Sequence, residues 1–91
     1  MLWQPLISVI LPTFNDGPFL AEAVDSVLAQ DYTLLELIVV VDGSTDETEA
    51  VLASFDDQRL RVFTIPNSGV AYARNYGLER ARGEGICFQD G

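Results

Sequence analysis

Polar and turn-forming residues lie at four points of this sequence, each directly after a run of apolar, β-prone residues. These points are Pro12–Asn15, Asp42–Ser44, Pro66–Gly69 and Asp90. Aspartate and asparagine can bind the polar edge of a ligand, and phenylalanine can stack on a flat ring. The same residue types also form ordinary turns. A binding site therefore requires that the fold brings the four points together.

Four side chains among these segments and the helix that follows the third could recognise a nucleotide. Phe14 can stack on a base, and Asp42 can accept a hydrogen bond from a base N–H. The planar guanidinium of Arg74 can pair with a phosphate or a base oxygen. Asp90 can hold a hydroxyl or a cation. Because acidic residues repel a diphosphate, this chemistry implies a divalent cation, Mg or Mn.

Each of these residues also has an ordinary structural interpretation. Asp42 can favour the start of the following helix, where acidic residues meet the positive end of the helix dipole. Arg74 can form a surface pair with Glu79 or Asp42, and Phe14 can be a core residue. Cys87 lies in an apolar run, and we expect it to be an inert core residue.

The elements that must position these residues follow from the apolar pattern. The β-prone runs predict four strands, at Ile7–Leu11, Leu37–Val41, Leu60–Ile65 and Gly85–Gln89. The continuous β-branched run of the second strand is typical of a strand that is buried on both faces.

Three helices are predicted between the strands. The first follows Gly17-Pro18, where proline fits the first turn. The second begins with a capping box, Ser44–Glu47. The third covers Val70–Arg82, with Gly83 as its C-cap. The order βαβαβαβ predicts a three-layer α/β/α fold with a Rossmann-like parallel sheet of about four strands. Ligands of such sheets bind outside the carboxyl ends of the strands, where the four polar points would meet.

Composition narrows the class of protein. The chain has 91 residues, 48% of them hydrophobic, and a formal net charge of −9 with neither lysine nor histidine. This hydrophobic content excludes a disordered segment, and the negative charge argues against nucleic acid as a partner. The single cysteine cannot form an internal disulfide. We find neither a secretion signal nor a membrane-spanning run, and we expect a cytoplasmic protein.

Several enzyme classes lack their signatures here. The chain contains neither the G-x-G-x-x-G fingerprint after the first strand nor a P-loop, which argues against dinucleotide oxidoreductases and P-loop NTPases. Without histidine, it has no Ser-His or Cys-His pair for nucleophilic catalysis.

Four segments resemble the motifs of family 2 glycosyltransferases with the GT-A fold. They are Ser8–Asn15 (SVILPTFN), Glu36–Asp46 (ELIVVVDGSTD), Asn67–Leu78 (NSGVAYARNYGL) and Gly83–Asp90 (GEGICFQD). The last segment resembles the approach to the family's D-x-D motif. The four segments occur in the family's order and cover nearly the whole chain.

The resemblance implies a glycosyltransferase that moves a sugar from a nucleotide-diphosphate donor, expected to be a UDP-sugar, to an acceptor hydroxyl. The reaction would be inverting and metal-dependent, and the enzyme would act on a cell-envelope polysaccharide. The resemblance assigns the nucleotide site to these residues: Pro12, Thr13, Phe14, Asn15, Asp42, Gly43, Ser44, Arg74 and Asp90. Asp90 would also bind the metal, and the catalytic base would lie beyond residue 91.

On this interpretation, residues 1–91 are the nucleotide-binding half of the enzyme, inactive alone. The missing part would bind a saccharide or lipid-linked acceptor, and the parent would associate with the inner face of the membrane. Two departures from the family pattern are Val41, where the family has aspartate, and Gln89, where it has an apolar residue.

The alternatives are a non-catalytic nucleotide-binding fragment, or one that self-associates through an exposed sheet edge. A sugar-nucleotide pyrophosphorylase fits less well, since its glycine- and arginine-rich loop is absent.

Overall fold

The computed structural model describes residues 5–14, 17–32, 34–43 and 46–89. It contains seven elements in the predicted βαβαβαβ order. They are β1 (Ile7–Thr13), α1 (Gly17–Leu28), β2 (Leu35–Asp42), α2 (Asp46–Ala53), β3 (Leu60–Ile65), α3 (Val70–Arg80) and β4 (Gly85–Phe88). The predicted fold class is confirmed.

The four strands form one parallel sheet in the order β3-β2-β1-β4. Strand β1 is central, with Ile7 opposite Leu35 of β2 and opposite Gly85 of β4. The strand order reverses beside β1, because the chain steps outward through β2 and β3 and then returns to the other side of β1. In open α/β sheets this reversal marks the place where ligands bind.

Strand β1 contains Pro12, a residue without a backbone N–H. Ile10 accepts a hydrogen bond from Gln89 N at 2.9 Å, so alternate residues of β1, including position 12, face the β4 side. Pairing with β4 has ended at Ile10, whereas the pairing of β1 with β2 continues to Thr13. Pro12 therefore removes no hydrogen bond from the β1–β2 ladder, and a central strand tolerates it.

Helices α1 and α2 cover one face of the sheet. The alternate side chains of β1 and β2 on that face pack against apolar residues of the two helices. This core cluster consists of Val9, Leu11, Leu20, Val24, Val27, Leu35, Leu37, Val39, Val41 and Leu52. The alternation of strands and the three- and four-residue spacing in α1 place these side chains on facing surfaces.

Helix α3 covers the opposite face. There Ile38 and Val40 of β2 pack with Ile65 of β3 and with Ala73 of α3, and all four are buried. With helices on both sides, β2 is buried along its whole length, as its β-branched run predicts. These two faces make the three layers of the fold.

The third helix ends two residues earlier than predicted, at Arg80, and its C-cap is Ala81 rather than Gly83. Gly83 has a different role, because the backbone passes close to β1 there. A Cβ atom at Gly83 would lie 2.7 Å from both Leu6 O and Ser8 N. Only glycine fits this contact without a shift of the backbone.

The expected burial of Cys87 is wrong, since its side chain is exposed. Cys87 lies in β4, and among the described residues β4 pairs with β1 alone. Apolar content predicts a buried strand, but it does not distinguish a central strand from an edge strand.

A buried polar cluster ties the amino-terminal ends of the strands together. Glu36, 6% exposed, accepts hydrogen bonds from Ser8 Oγ at 2.6 Å, from Arg82 N at 2.7 Å and from Arg61 Nη1 at 2.8 Å. The Ser8 hydroxyl in turn accepts the N–H of Gly83 at 2.8 Å. Burial raises the pKa of Glu36, but these donors lower it more, and the net pKa lies below the usual 4.5. Glu36 is therefore a buried, paired carboxylate.

None of the helices in the described ranges has the length and apolar character needed to cross a bilayer.

Candidate functional site

The carboxyl ends of β1, β2 and β3 lie side by side at one edge of the sheet. Thr13 is opposite Val41, and Asp42 is opposite Ile65. Phe14, Gly43 and the 66–69 segment therefore follow three adjacent strands. Three of the four polar points of the sequence are thus neighbours in space. We call this region the strand-end rim.

The segments that follow β1 and β3 both approach Gly43 at this rim. A Cβ atom placed on Gly43 would lie 3.3 Å from Asn67 Cβ and 3.5 Å from Phe14 Cε2. The backbone of Gly43 has φ 85°, a left-handed conformation that favours glycine. Its N–H donates to Ile65 O at 3.0 Å. The side chains from the β1 and β3 ends therefore flank the turn after β2.

Phe14 has 49% of its surface exposed, so its ring is not part of the core. The packing interpretation of this aromatic residue is wrong. An exposed aromatic face beside polar loops can stack on a flat ligand. By contrast, Pro12 and Thr13 are buried within β1.

Asp42 is 4% exposed, and both of its carboxylate oxygens bind backbone amides. Oδ1 accepts the N–H of Ser68 at 2.6 Å, and Oδ2 accepts the N–H of Gly69 at 2.9 Å. These amides belong to the segment before α3, not to the start of α2. Asp42 therefore fixes the β3–α3 connection, and each oxygen keeps lone-pair capacity for another donor.

Arg74 lies on α3, five residues after Gly69, and is partly buried. It follows the fully buried Ala73, whose N–H bonds to Gly69 O at 3.0 Å. The helix thus places Arg74 in the half of α3 that begins at the rim.

Three of the predicted site residues, Asn15, Ser44 and Asp90, lie outside the described residues. Gln89, directly before Asp90, bonds through its N–H to Ile10 O of β1 at 2.9 Å. The prediction that Asp90 joins the rim stays a prediction.

The described residues do not assemble a metal site. No group of three or more acidic, cysteine or histidine side chains is gathered within ranges 5–14, 17–32, 34–43 and 46–89. The buried Asp42 is already engaged by two amides. A metal site at this edge would depend on Asp90, and we derive no reaction step through a metal.

An apolar groove of about 310 Å³ lies between α2 and β3. It is lined by Glu49, Leu52, Ala53, Val62 and Thr64. None of these residues belongs to the predicted nucleotide site, and the groove has few polar groups to orient a ligand. It does not compete with the strand-end rim as a site for nucleotide chemistry.

Asn67 lies at the rim but is not among the predicted site residues. The sequence places Pro66–Gly69 after the third strand and Asn67 in the third motif segment, without a role for the Asn67 side chain. The neighbouring Asp42 carries the signal that could have located it, because a buried carboxylate after a strand needs nearby N–H donors.

The sequence profile described as glycosyl transferase family 2 matches residues 8–91. The chain belongs to glycosyltransferase family 2. The four motif segments and the parallel α/β sheet agree with this membership. The family uses nucleotide-sugar donors, and the rim described above occupies the position at which such a sheet binds ligands.

Two bacterial relatives show similarity along most of the chain. An uncharacterized glycosyltransferase of Rickettsia typhi is 43% identical over 82 residues, covering 90% of this chain and 26% of the relative. The glycosyltransferase TuaG of Bacillus subtilis, assigned to teichuronic acid biosynthesis, is 43% identical over 91 residues, covering 97% of this chain and 36% of TuaG. The chain thus spans about a quarter to a third of the length of these relatives.

Three solved structures share the fold. Staphylococcus aureus TarS (residues 1–349) has a TM-score of 0.83 and 36% identity, over 92% of this chain and 26% of that one. The mannosyltransferase PcManGT of Pyrobaculum calidifontis, in complex with GDP-Man and Mn²⁺, has a TM-score of 0.77 and 31% identity. The match covers 97% of this chain and 28% of that one. The glucosyl-3-phosphoglycerate synthase of Mycobacterium tuberculosis, in complex with Mn²⁺, UDP and glucosyl-3-phosphoglycerate, has a TM-score of 0.76 and 29% identity. The match covers 94% of this chain and 33% of that one.

Proposed function

We propose that residues 1–91 form the amino-terminal, nucleotide-binding half of a glycosyltransferase whose donor is a UDP-sugar. The observation that carries this proposal is the strand-end rim, where Phe14, Gly43 and Asn67 meet beside the buried Asp42. Relatives roughly three times as long leave room for a second half that binds the acceptor. On this proposal the chain alone binds nucleotide but does not transfer sugar.

The nucleotide would occupy the rim in a defined orientation. The exposed face of Phe14 would stack on the base, with Pro12 and Thr13 as the wall behind it. Asp42 would accept a base N–H through its remaining lone pairs, and Arg74 would pair with a phosphate. The same proposal places Asn15, Gly43 and Ser44 beside the base and ribose.

The reaction would be a direct displacement at the anomeric carbon by an acceptor hydroxyl, with inversion. The acceptor would be a saccharide or a lipid-linked molecule, and the general base would lie in the second half. A divalent cation, Mg or Mn, supplies charge stabilisation for the departing diphosphate when bound. In this chain we assign Asp90 to that cation.

The solved relatives support a nucleotide-diphosphate donor. One was solved with GDP-Man and another with UDP, each together with Mn²⁺. We favour UDP because the resemblance assigns Asp42 to the base, which is typically uracil in the family. TuaG links the similarity to a polymer of the cell envelope, and we propose an envelope polysaccharide as the product.

Titration of the intact protein with UDP and MnCl₂ tests the donor site. We expect saturable binding by calorimetry, and amide NMR shifts that cluster at Phe14, Gly43 and Asn67 when Mg²⁺ replaces the paramagnetic Mn²⁺. GDP and CDP should bind more weakly than UDP, and EDTA should weaken UDP binding. A well-folded sample that shows no shift at these amides with millimolar UDP would contradict the proposal.

One observation favours a second candidate, a chain that self-associates. Ile86 and Phe88 of β4 are 39% and 50% exposed, and β4 pairs with a single strand among the described residues. An unpaired apolar edge strand can template the addition of another strand. Light scattering over a hundredfold range of concentration separates the candidates: a constant monomer mass argues against self-association.

A further inference from the structure

Two successive backbone amides just before β4 are held by buried side chains of β1 and β2. The N–H of Arg82 donates to Glu36 Oε2 at 2.7 Å. The N–H of Gly83 donates to Ser8 Oγ at 2.8 Å. The Ser8 hydroxyl itself donates to Glu36 Oε2 at 2.6 Å, so the two acceptors support each other. We call Ser8, Glu36, Arg82 and Gly83 the amide clamp.

The amide clamp holds the chain tightly at Gly83. A Cβ atom there would lie 2.6 Å from Ser8 Oγ and 2.7 Å from Leu6 O. The next N–H, that of Glu84, donates to the same Leu6 O at 2.8 Å. Ser8 is fully buried, so water does not compete for its hydrogen bonds. The chain is therefore fixed against β1 immediately before β4 begins.

Strand β4 has little else to fix its register on β1. It is four residues long, and among the described residues it pairs with β1 alone. Ile86 and Phe88 on one face are 39% and 50% exposed, and Cys87 on the other face is exposed. Burial of one face is what specifies the register of most strands. Because neither face of β4 is buried in the described part of the chain, its register depends on the amide clamp.

The register of β4 has its consequence at the other end of the sheet. The N–H of Gln89 donates to Ile10 O at 2.9 Å, and Asp90 follows directly. A strand advances by about 3.3 Å per residue, so a slip of two residues would displace the segment after β4 by roughly 7 Å. Glu36 and Asp42 lie near opposite ends of β2, roughly 20 Å apart. The clamp is therefore too far from the strand-end rim to contact a nucleotide there.

We infer that Ser8 and Glu36 are positioning residues for the donor site: through the amide clamp they set the register of β4, and so bring the segment after Gln89 to the strand-end rim. This inference rests on the proposed function, which assigns Asp90 to the cation of that site. The effect of the clamp passes along β4. It should therefore appear in the cation-dependent part of UDP binding and leave the contacts of the other strand ends unchanged.

Two substitutions loosen the clamp by different means. Ser8→Ala removes the acceptor of the Gly83 N–H, whereas the methyl group of Gly83→Ala pushes the chain away from β1. We expect hydrogen exchange of the Gln89 N–H to become about tenfold faster in both variants without nucleotide. Exchange of the Gly43 N–H, which bonds to Ile65 O on the β3 side of the sheet, should change less than about twofold.

Calorimetric titration of the intact protein with UDP, with Mg²⁺ or with EDTA, gives the second measurement. In the unmodified protein, EDTA should weaken UDP binding. We expect this loss to be at least about threefold smaller in Ser8→Ala and Gly83→Ala, because the cation no longer contributes fully. Their UDP affinity in EDTA should stay within about twofold of the unmodified protein. A general loss of folded protein would instead lower both affinities together.

Two control variants change neighbouring positions but leave the clamp in place. Gly85→Ala adds the same methyl group as Gly83→Ala, but it meets only the Ile7 side chain, whose flexible end Cδ1 would lie 2.6 Å away. Arg61→Met removes the donor that reaches Glu36 Oε1 from β3 at 2.8 Å, and it leaves the bonds of Oε2 intact. We expect both controls to keep the Gln89 exchange rate and the response to EDTA.

The outcomes separate this inference from the proposed function. If the clamp variants speed exchange at Gln89 but keep the full response to EDTA, the clamp contributes stability alone. The inference is then overturned, while the donor site stands. Equal changes in the control variants would overturn it as well. If the unmodified protein does not bind UDP, or binds it equally with and without EDTA, the proposed donor site or its cation fails and the inference fails with it. Ser8→Ala decides alone if circular dichroism shows that Gly83→Ala does not fold.

Discussion

At the scale of single residues, two glycines shape the strand-end rim. Gly43 and Gly69 have φ values of 85° and 96°, which other residues rarely adopt. They stand on either side of the hydrogen bonds that join Asp42 to the segment before α3. The two differ in their surroundings, since a Cβ at Gly69 would meet nothing within 4 Å, whereas a Cβ at Gly43 would meet Asn67 and Phe14.

This difference predicts how Gly43→Ala and Gly69→Ala will behave. Both substitutions should cost about 1–2 kcal/mol of folding free energy, because alanine is strained at positive φ. Only the Gly43→Ala methyl enters the space beside Phe14 and Asn67. We therefore expect weaker UDP binding in Gly43→Ala than in Gly69→Ala, measured by calorimetry beside urea unfolding. Equal losses of affinity in both variants would show that backbone strain, and not occupancy of the rim, controls binding.

The sequence predicted which residues lie near the rim better than it predicted their contacts. Asp42 and Gly43 follow the most apolar strand, so their place at a strand end could be predicted. The amide partners of Asp42 could not, because they belong to a loop 26 residues later whose path depends on the packing of α3. Cys87 and Phe14 show the same limit, since their exposure depends on neighbouring strands and loops.

At the scale of elements, α3 packs unusually close to the sheet at Gly77. This glycine is buried in the middle of the helix, where glycine is otherwise unfavourable by about 1 kcal/mol relative to alanine. A Cβ there would lie 2.7 Å from Ile10 Cγ2 and 3.3 Å from Val40 Cγ2. Ile10 and Val40 are fully buried, so neither can move aside easily. The close approach explains why a helix-weakening residue is present.

We predict that Gly77→Ala destabilises the protein despite the higher helix propensity of alanine. Overpacking costs about 1–3 kcal/mol, and the propensity gain of about 1 kcal/mol offsets only part of it. Asn75→Ala is the control, because Asn75 is exposed on the same helix and its replacement should stabilise slightly. Urea midpoints of the two variants should move in opposite directions. A more stable Gly77→Ala would mean that α3 does not approach β1 so closely.

Element boundaries show where sequence patterns stop being informative. The order and type of all seven elements could be predicted, because β-branched runs and helical spacing alternate clearly. The end of α3 could not, since Gly83 resembles a C-cap but is required for the close contact with β1. Strand β2 begins at Leu35 because the buried Glu36 is paired, which a pattern of apolar residues does not reveal.

At the scale of the whole molecule, the acidic chain stabilises two of its carboxylates in the ionised form. Hydrogen bonds from the Arg59 side chain and backbone lower the pKa of Asp57 to about 2. Arg59 also donates to Leu28 O at 2.9 Å, so this pair supports the carboxyl end of α1. The pKa of Glu36 is lowered as well, against the effect of its burial. Two parts of the sheet edge opposite the rim thus depend on ionised acids.

The direction of these pKa shifts predicts an acid-sensitive fold. A carboxyl with a lowered folded pKa contributes its stability above the unfolded pKa, and loses it as the pH falls towards the folded pKa. We expect urea midpoints to fall from about pH 5 downwards, and Asp57→Asn to flatten the part of this dependence below pH 4. Asp56→Asn, which removes the same charge from an exposed neighbour, should flatten it less. Identical pH profiles for the two variants would contradict the assignment.

The central position of β1 determines the order in which the molecule can be completed as it is synthesised. The strand that leaves the ribosome early receives one neighbour, β2, soon afterwards, but the other, β4, only near residue 85. The Ser8 hydroxyl accepts its hydrogen bond from the N–H of Gly83, which is synthesised 75 residues later. A nascent chain therefore presents an open edge of this inner strand until β4 has been synthesised. Slow synthesis near β4 would prolong the time in which that edge can bind a chaperone or another nascent chain.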